Sequence, residues 1–211
     1  MKFLRNIVNT SYECTVVNPD RSPFFVFCKL VEEVCELSDV YHGIAASEPL
    51  NGEIADVIIS AVDLLYVCDY KDAQIHGNMT KDEIIDSIIT QMALAQGYSD
   101  SHQYAFEDHI FSDTAVGSDE SERNLAMIHH MKGRITRLLN QPDRTDDNLN
   151  FLIGSLIKYT AQLALSYGCA HKYVSYEGQT YYHCERSNDV RIKVEHAFDH
   201  KVEKWRGKFG L

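Results

Sequence analysis

The sequence predicts an all-α protein with a four-helix core of two helix–loop–helix units, further helices and one short β-hairpin. Three observations carry that prediction. Apolar residues recur at three- and four-residue spacing through most of the long segments. Helix start and stop signals flank those segments. The pattern also repeats: "ADVIISAVDLLYVCDY" (55–70) lies over "GSLIKYTAQLALSYGC" (154–169) at a shift of 99, and "LVEEVCELSDV" (30–40) over "IHHMKGRITRL" (128–138) at a shift of 98. One amphipathic helix pair cannot bury both of its stripes, whereas two pairs together make a bundle. The alignment has two readings: a degenerate internal duplication, or two amphipathic pairs that slide into register.

In chain order, Ser22 and Pro23 suit a helix start. Phe24, Phe27, Leu30, Val31, Val34, Leu37 and Val40 follow as its apolar stripe, and Gly43 ends it. "HGIAASEPLNG" is a loop, with Pro49 and Gly52 as breakers. A second helix covers about Glu53–Cys68. Thr80 and Glu83 form a capping box for a third, which stops at Gly97. Tyr98–Glu122 is polar and irregular and is expected to be a long surface loop. A fourth helix covers roughly 121–139 and a fifth about Leu149–Tyr167. "KYVSYEGQTYYHCE" alternates about Gly178 as a hairpin. A last amphipathic helix buries Val194, Ala197, Phe198, Val202 and Trp205. The whole of 1–211 is expected to be one domain, with 22–97 as the half that carries the acidic motifs, 98–120 as a loop and 121–211 as the second half.

The chain has 211 residues and a net charge of −11, which opposes binding to a nucleic-acid backbone and is compatible with divalent cations. No stretch reaches the ~18–20 apolar residues that span a bilayer. "MKFLRNIVNT" lacks the apolar core of a signal peptide. The six cysteines form no CxxC pair, and four lie in apolar helical contexts. The expectation is a cytoplasmic chain with free thiols and no membrane partner.

The acidic residues of the first two helices stand out. Glu32, Glu33 and Glu36 fall within an arc of about 100°, and Glu53 and Asp56 lie about 60° apart. Asp63, seven residues beyond Asp56, is nearly in line with it. Segment 53–67 contains no Lys, Arg or His. Unpaired ions beside an apolar face cost several kcal/mol each, roughly, in desolvation. Protonation, a basic partner from elsewhere or a divalent cation can each relieve that cost. Mg²⁺ or Mn²⁺ suits carboxylate oxygens best.

"KLVEEVCEL" followed by "EIADVIISAVDLL" resembles the all-α nucleoside triphosphate pyrophosphohydrolase superfamily, the MazG-like enzymes with their dCTPase, dUTPase and phosphoribosyl-ATP relatives. The hallmark is EExxE on one helix and ExxD on the next. Here these are Glu32-Glu33-x-x-Glu36 and Glu53-x-x-Asp56, with sixteen residues between Glu36 and Glu53. The resemblance covers about residues 24–70. It implies that Glu33, Glu36, Glu53 and Asp56 bind Mg²⁺, with Glu32 in support; Asp63, in line with Asp56, is either a supporting site residue or a buried hydrogen-bonded carboxylate. Glu33 or Glu36 would orient a water that attacks the α-phosphorus of an NTP or dNTP, releasing monophosphate and pyrophosphate. "HKVEKWRGKFG" is similar to the family's closing basic stretch, with Trp205 where Asn is expected. Lys201, Arg206 and Lys208, with Lys29, are thereby candidate phosphate contacts. Phe24, Phe25, Trp205 and the Tyr173–Tyr182 cluster are candidates to stack on a base. The resemblance also implies a homo-oligomer, a dimer or tetramer.

No His-Asp dipeptide, Glu-x-x-His pair, GxxxxGK[ST] or GxGxxG occurs, so the phosphohydrolase, di-iron, P-loop and Rossmann readings have no residues to rest on. The alternative function is a non-catalytic helical module whose acidic face pairs with a basic partner.

Overall fold

The protein is all-α in class. The computed structural model describes residues 3–44, 48–98, 106, 110–111, 118–141, 146–170, 173–176, 179–182 and 187–211. Its helices are α1 Phe3–Val17, α2 Pro23–Tyr41, α3 Leu50–Asp69, α4 Lys71–Ile75, α5 Lys81–Ala95, α6 Ser118–Leu139, α7 Asp146–Ala170 and α8 Ser187–Lys208. Between α7 and α8, β1 (Tyr173–Tyr176) pairs antiparallel with β2 (Gln179–Tyr182), Tyr173 opposite Tyr182, as the alternation predicts. Gly178 lies outside the described residues.

α3 organises the fold. It is apolar nearly all round, and such a helix needs neighbours on every side. Ile54, Ala55, Val57, Ile58, Ala61, Val62, Leu64 and Leu65 are fully buried. α2 packs along one side of α3, α7 along another, and α8 and α1 close the rest. α6 and α7 form a second tightly packed pair, and α2 touches α6. The expected core of two helical hairpins is therefore present, with α2, α3, α7 and α6 around it. No helix among the described residues is long and apolar enough to cross a membrane.

Local signals explain the boundaries. Pro23 sits in the first turn of α2, and Gly43 leaves that helix with φ +68°, a conformation glycine adopts without strain. Thr80 and Glu83 make the reciprocal capping box at α5.

Several expectations are corrected. α1 was not legible as a helix, because polar Asn6, Asn9, Thr10 and Ser11 dilute its stripe. It nonetheless buries Phe3, Leu4, Ile7, Val8 and Cys14, with Phe3 stacked on Phe198 of α8 at 4.5 Å between centroids. In segment 98–122 the described residues Phe106, Ile110 and Phe111 are buried rather than on the surface, and α6 begins at Ser118. At the start of α2 the stripe is displaced: Phe24 is exposed and Val26 is buried in its place. Cys28 and Cys35 are exposed, so only Cys14 of the described cysteines acts as a fully buried apolar group.

Candidate metal centre

α2 and α3 are joined by residues 42–49 and pack along their lengths, which brings their acidic faces together. Glu33 of α2 and Glu53 and Asp56 of α3 each offer a carboxylate oxygen, and these oxygens lie within 4.8 Å of one another. Glu33 is 5% and Glu53 2% exposed, and Asp56 is half-buried. The three line a cavity of about 640 Å³. Its α3 wall runs from Glu53 to Asp63, about 15 Å of helix. The opposite wall comes from α8, as Lys201, Lys204, Trp205 and Lys208, spaced along one helical face.

Each carboxylate meets the cost of burial differently. Glu33 pairs with Lys29 one turn back, Nζ to Oε1 at 2.7 Å, and Lys29 also reaches Glu32 at 3.1 Å. Asp56 receives a hydrogen bond from Lys201, 145 residues away in sequence, and the same ammonium pairs with Glu48. Glu48 also meets Lys204 at 3.3 Å. Gly52 makes room for this group: a Cβ there would lie 3.1 Å from Glu48 Oε2 and 3.6 Å from Lys201 Cε. Glu53 differs from the others, because its Oε2 is buried with no hydrogen-bond partner.

The proton affinities follow. Burial, reinforced by the Asp56 charge, pushes the Glu53 carboxyl up to about 7. Burial also raises Glu33 against the opposing pull of Lys29, and Asp56 against that of Lys201. Bonding to Lys201 holds Glu48 below its ordinary value. Burial disfavours the Lys201 ammonium, but its bonds to Asp56 and Glu48 outweigh that and raise it. Three clustered carboxylates, one with a buried orphan oxygen, form a donor set that suits a hard divalent cation.

The remaining expected residues divide. Glu36 lines the cavity and its charge raises both Glu33 and Glu53, but it is exposed and stands outside the close trio. Glu32 is exposed and reaches the site only through Lys29. Asp63 lies at the far end, buried in an ion pair with Arg21, so it is a structural carboxylate. Lys29, Lys201 and Lys208 line the cavity, and Arg206 does not. Arg206 is five residues past Lys201, about 140° around the helix. It therefore faces α1 and bonds Glu13. Of the aromatic candidates, Phe25 and Trp205 line the cavity, Phe24 does not, and the side chains of the Tyr173–Tyr182 cluster lie outside what is described.

Glu48, Lys204, Arg21 and Phe209 are cavity residues that sequence reasoning missed. Lys204 was findable, since it stands at i+3 from Lys201 on the Lys201–Lys208 face. Glu48 and Arg21 sit in turns, where no periodicity points. The Arg21 guanidinium lies 5.8 Å from the Trp205 ring centre and 5.9 Å from that of Phe209.

Comparison with protein-family models, curated proteins and solved structures finds no match. The pyrophosphohydrolase resemblance thus stands on the motif residues alone.

Proposed function

We propose that this protein is a Mg²⁺-dependent nucleoside triphosphate pyrophosphohydrolase that cleaves between the α- and β-phosphates, with Mn²⁺ able to replace Mg²⁺. The observation that carries the reading is the convergence of Glu33, Glu53 and Asp56, with Glu53 Oε2 buried and unpartnered. A hard cation held by these groups supplies Lewis acidity toward phosphate oxygens and lowers the pKa of water.

The chain's own residues supply the rest. Glu33, Glu53 and Asp56 hold the cation. Glu36, an exposed residue of the cavity lining, orients the attacking water and accepts its proton. Lys201, Lys204, Lys208 and Lys29 offset the charge of the triphosphate. The far end, with Trp205, Phe209 and Arg21, offers apolar and cationic faces to a planar base. A wall of about 15 Å accommodates an extended nucleotide. In keeping with the resemblance, the enzyme is proposed to work as a homo-oligomer.

The alternative, an acidic face for a basic protein partner, has less support. Two of the three carboxylates are buried in a cavity, and two are already met by lysines.

The test is pyrophosphate release from a panel of NTPs and dNTPs with Mg²⁺. Glu36→Gln and Asp56→Asn should abolish release while the helical circular-dichroism signal stays intact. Turnover of no nucleotide by the wild-type protein would overturn the reading.

A further inference from the structure

We propose that Lys201 makes cation and triphosphate binding mutually dependent: its ammonium occupies Asp56 until phosphate oxygens draw it away, so each ligand binds strongly only with the other. This rests on the metal reading above and adds to it a coupling role for Lys201, which the resemblance gives only as a candidate phosphate contact.

The argument begins with the bonds of Lys201. Its Nζ bonds Asp56 and pairs with Glu48, and its side chain is 8% exposed. A divalent cation that takes Asp56 as ligand competes with this ammonium for the same carboxylate. Both are cations, and their mutual repulsion at one carboxylate weakens cation binding until a further anion joins them. The lysine cannot retreat by moving its backbone, because Val194, Phe198 and Val202 fix α8 in the core. Only the side chain can move. Its flexible four-carbon stem and point charge suit such a move better than the rigid arginine fork.

The cavity supplies the destination. Lys201 lines it beside Lys204 and Lys208 on the same face of α8. A triphosphate in the cavity offers oxygens to all three, so the ammonium exchanges a carboxylate for a phosphate and stays paired. Glu48, which Lys204 also holds at 3.3 Å, keeps the side chain near the site during the exchange. Lys29 is not equivalent. Its side chain is 41% exposed, against 8% for Lys201, so water can take up its charge when it leaves Glu33, whereas Lys201 leaving Asp56 keeps only Glu48, which it shares with Lys204.

The experiment measures Mn²⁺ affinity by calorimetry, with and without saturating inorganic tripolyphosphate and corrected for Mn²⁺ chelation in solution. It compares the wild type with Lys201→Met, Lys201→Gln and Arg206→Met. Lys201→Gln loses the charge but keeps a hydrogen-bond donor on a side chain one atom shorter, so it serves if the methionine variant fails to fold. In the wild type tripolyphosphate should tighten Mn²⁺ binding roughly 10- to 100-fold, the usual range of coupling between sites. In either Lys201 variant Mn²⁺ alone should bind about tenfold tighter than in the wild type, and the tightening by tripolyphosphate should be about tenfold smaller than in the wild type. Arg206→Met, outside the cavity and bonded to Glu13, should retain the wild-type coupling. Strong Mn²⁺ binding to the wild type without coupling, or unchanged coupling in both Lys201 variants, overturns this inference and leaves the metal site standing. No saturable Mn²⁺ binding in any form overturns the metal site and the inference with it.

Discussion

The two helical hairpins of this protein occupy matching places in the bundle and differ in what they bury. In the first, α2 and α3 bring Glu33, Glu53 and Asp56 to their contact. At the aligned places in the second, α6 and α7 carry Met131, Leu152 and Ser155, all buried. Glu32 and Glu36 are exposed, as are their counterparts His130 and Arg134. This match in burial is what two amphipathic hairpins in register give, with or without common ancestry. The chemistry is where they part. Met131 and Leu152 close their hairpin by packing, and Ser155 accepts a hydrogen bond from Gln96 at 3.2 Å. The first hairpin instead holds a cavity, an unpartnered carboxylate oxygen and a lysine drawn from α8. An apolar set performs the packing role at the same place, so the architecture does not require the acidic one. Buried ions commonly stabilise less than apolar residues of similar volume. The acidic set is better explained by binding than by folding.

The comparison can be broken by moving the chemistry. Leu152→Glu places a carboxylate at a buried apolar position of the second hairpin. It should cost about 3–5 kcal/mol in urea unfolding, with no recovery on adding Mg²⁺. A neutral result would mean that the second hairpin tolerates charge as the first does, and the contrast would lose its force.

Removing the chemistry from the first hairpin should act through pH. The Glu53 carboxyl is raised from 4.5 to about 7 in the folded protein. Between those values the unfolded chain releases this proton while the folded chain keeps it. The contribution of Glu53 is therefore most favourable below pH 4.5 and is lost as pH rises through about 7. Glu53→Gln should flatten that slope and raise stability above pH 7 by up to about 3 kcal/mol. Melting curves across pH 4–8, roughly, check this. Wild-type and variant curves of equal slope would show that burial does not perturb Glu53 in this way.

The smallest effect sharpens the boundary of the site. Arg206 points away from the cavity and pairs with Glu13, both side chains partly exposed. Arg206→Ala should cost less than about 1 kcal/mol and leave pyrophosphate release unchanged. A large loss of activity would place the phosphate-binding face of α8 elsewhere than on Lys201, Lys204 and Lys208.

The contrast between the hairpins was partly legible in the sequence. Helical spacing, Pro23, Gly43 and the Thr80–Glu83 box located α2, α3 and α5, because helix periodicity and end chemistry are local. The acidic set was legible for the same reason: spacings of three or four put Glu33 with Glu36 and Glu53 with Asp56 on common faces. What relieves each carboxylate was not legible. Lys201 meets Asp56 across 145 residues, and Arg21 meets Asp63 across 42. No local rule reports such contacts. Arg206 came in with Lys201 and Lys208 through the resemblance of the closing basic stretch, but residues five apart on a helix point about 140° apart, and it lies outside the cavity. α1 escaped notice because its buried face includes Thr10, Ser11 and Thr15, with Thr10 satisfied by the Asn6 carbonyl at 2.9 Å.

The most direct test of the central claim, that Glu33, Glu53 and Asp56 together hold a divalent cation, is the electron paramagnetic resonance signal of Mn²⁺ titrated into the protein with saturating tripolyphosphate. Wild-type protein should remove Mn²⁺ from solution saturably, and Glu53→Gln should weaken that binding at least roughly tenfold. Equal binding by the two proteins, or none by either, would contradict the claim.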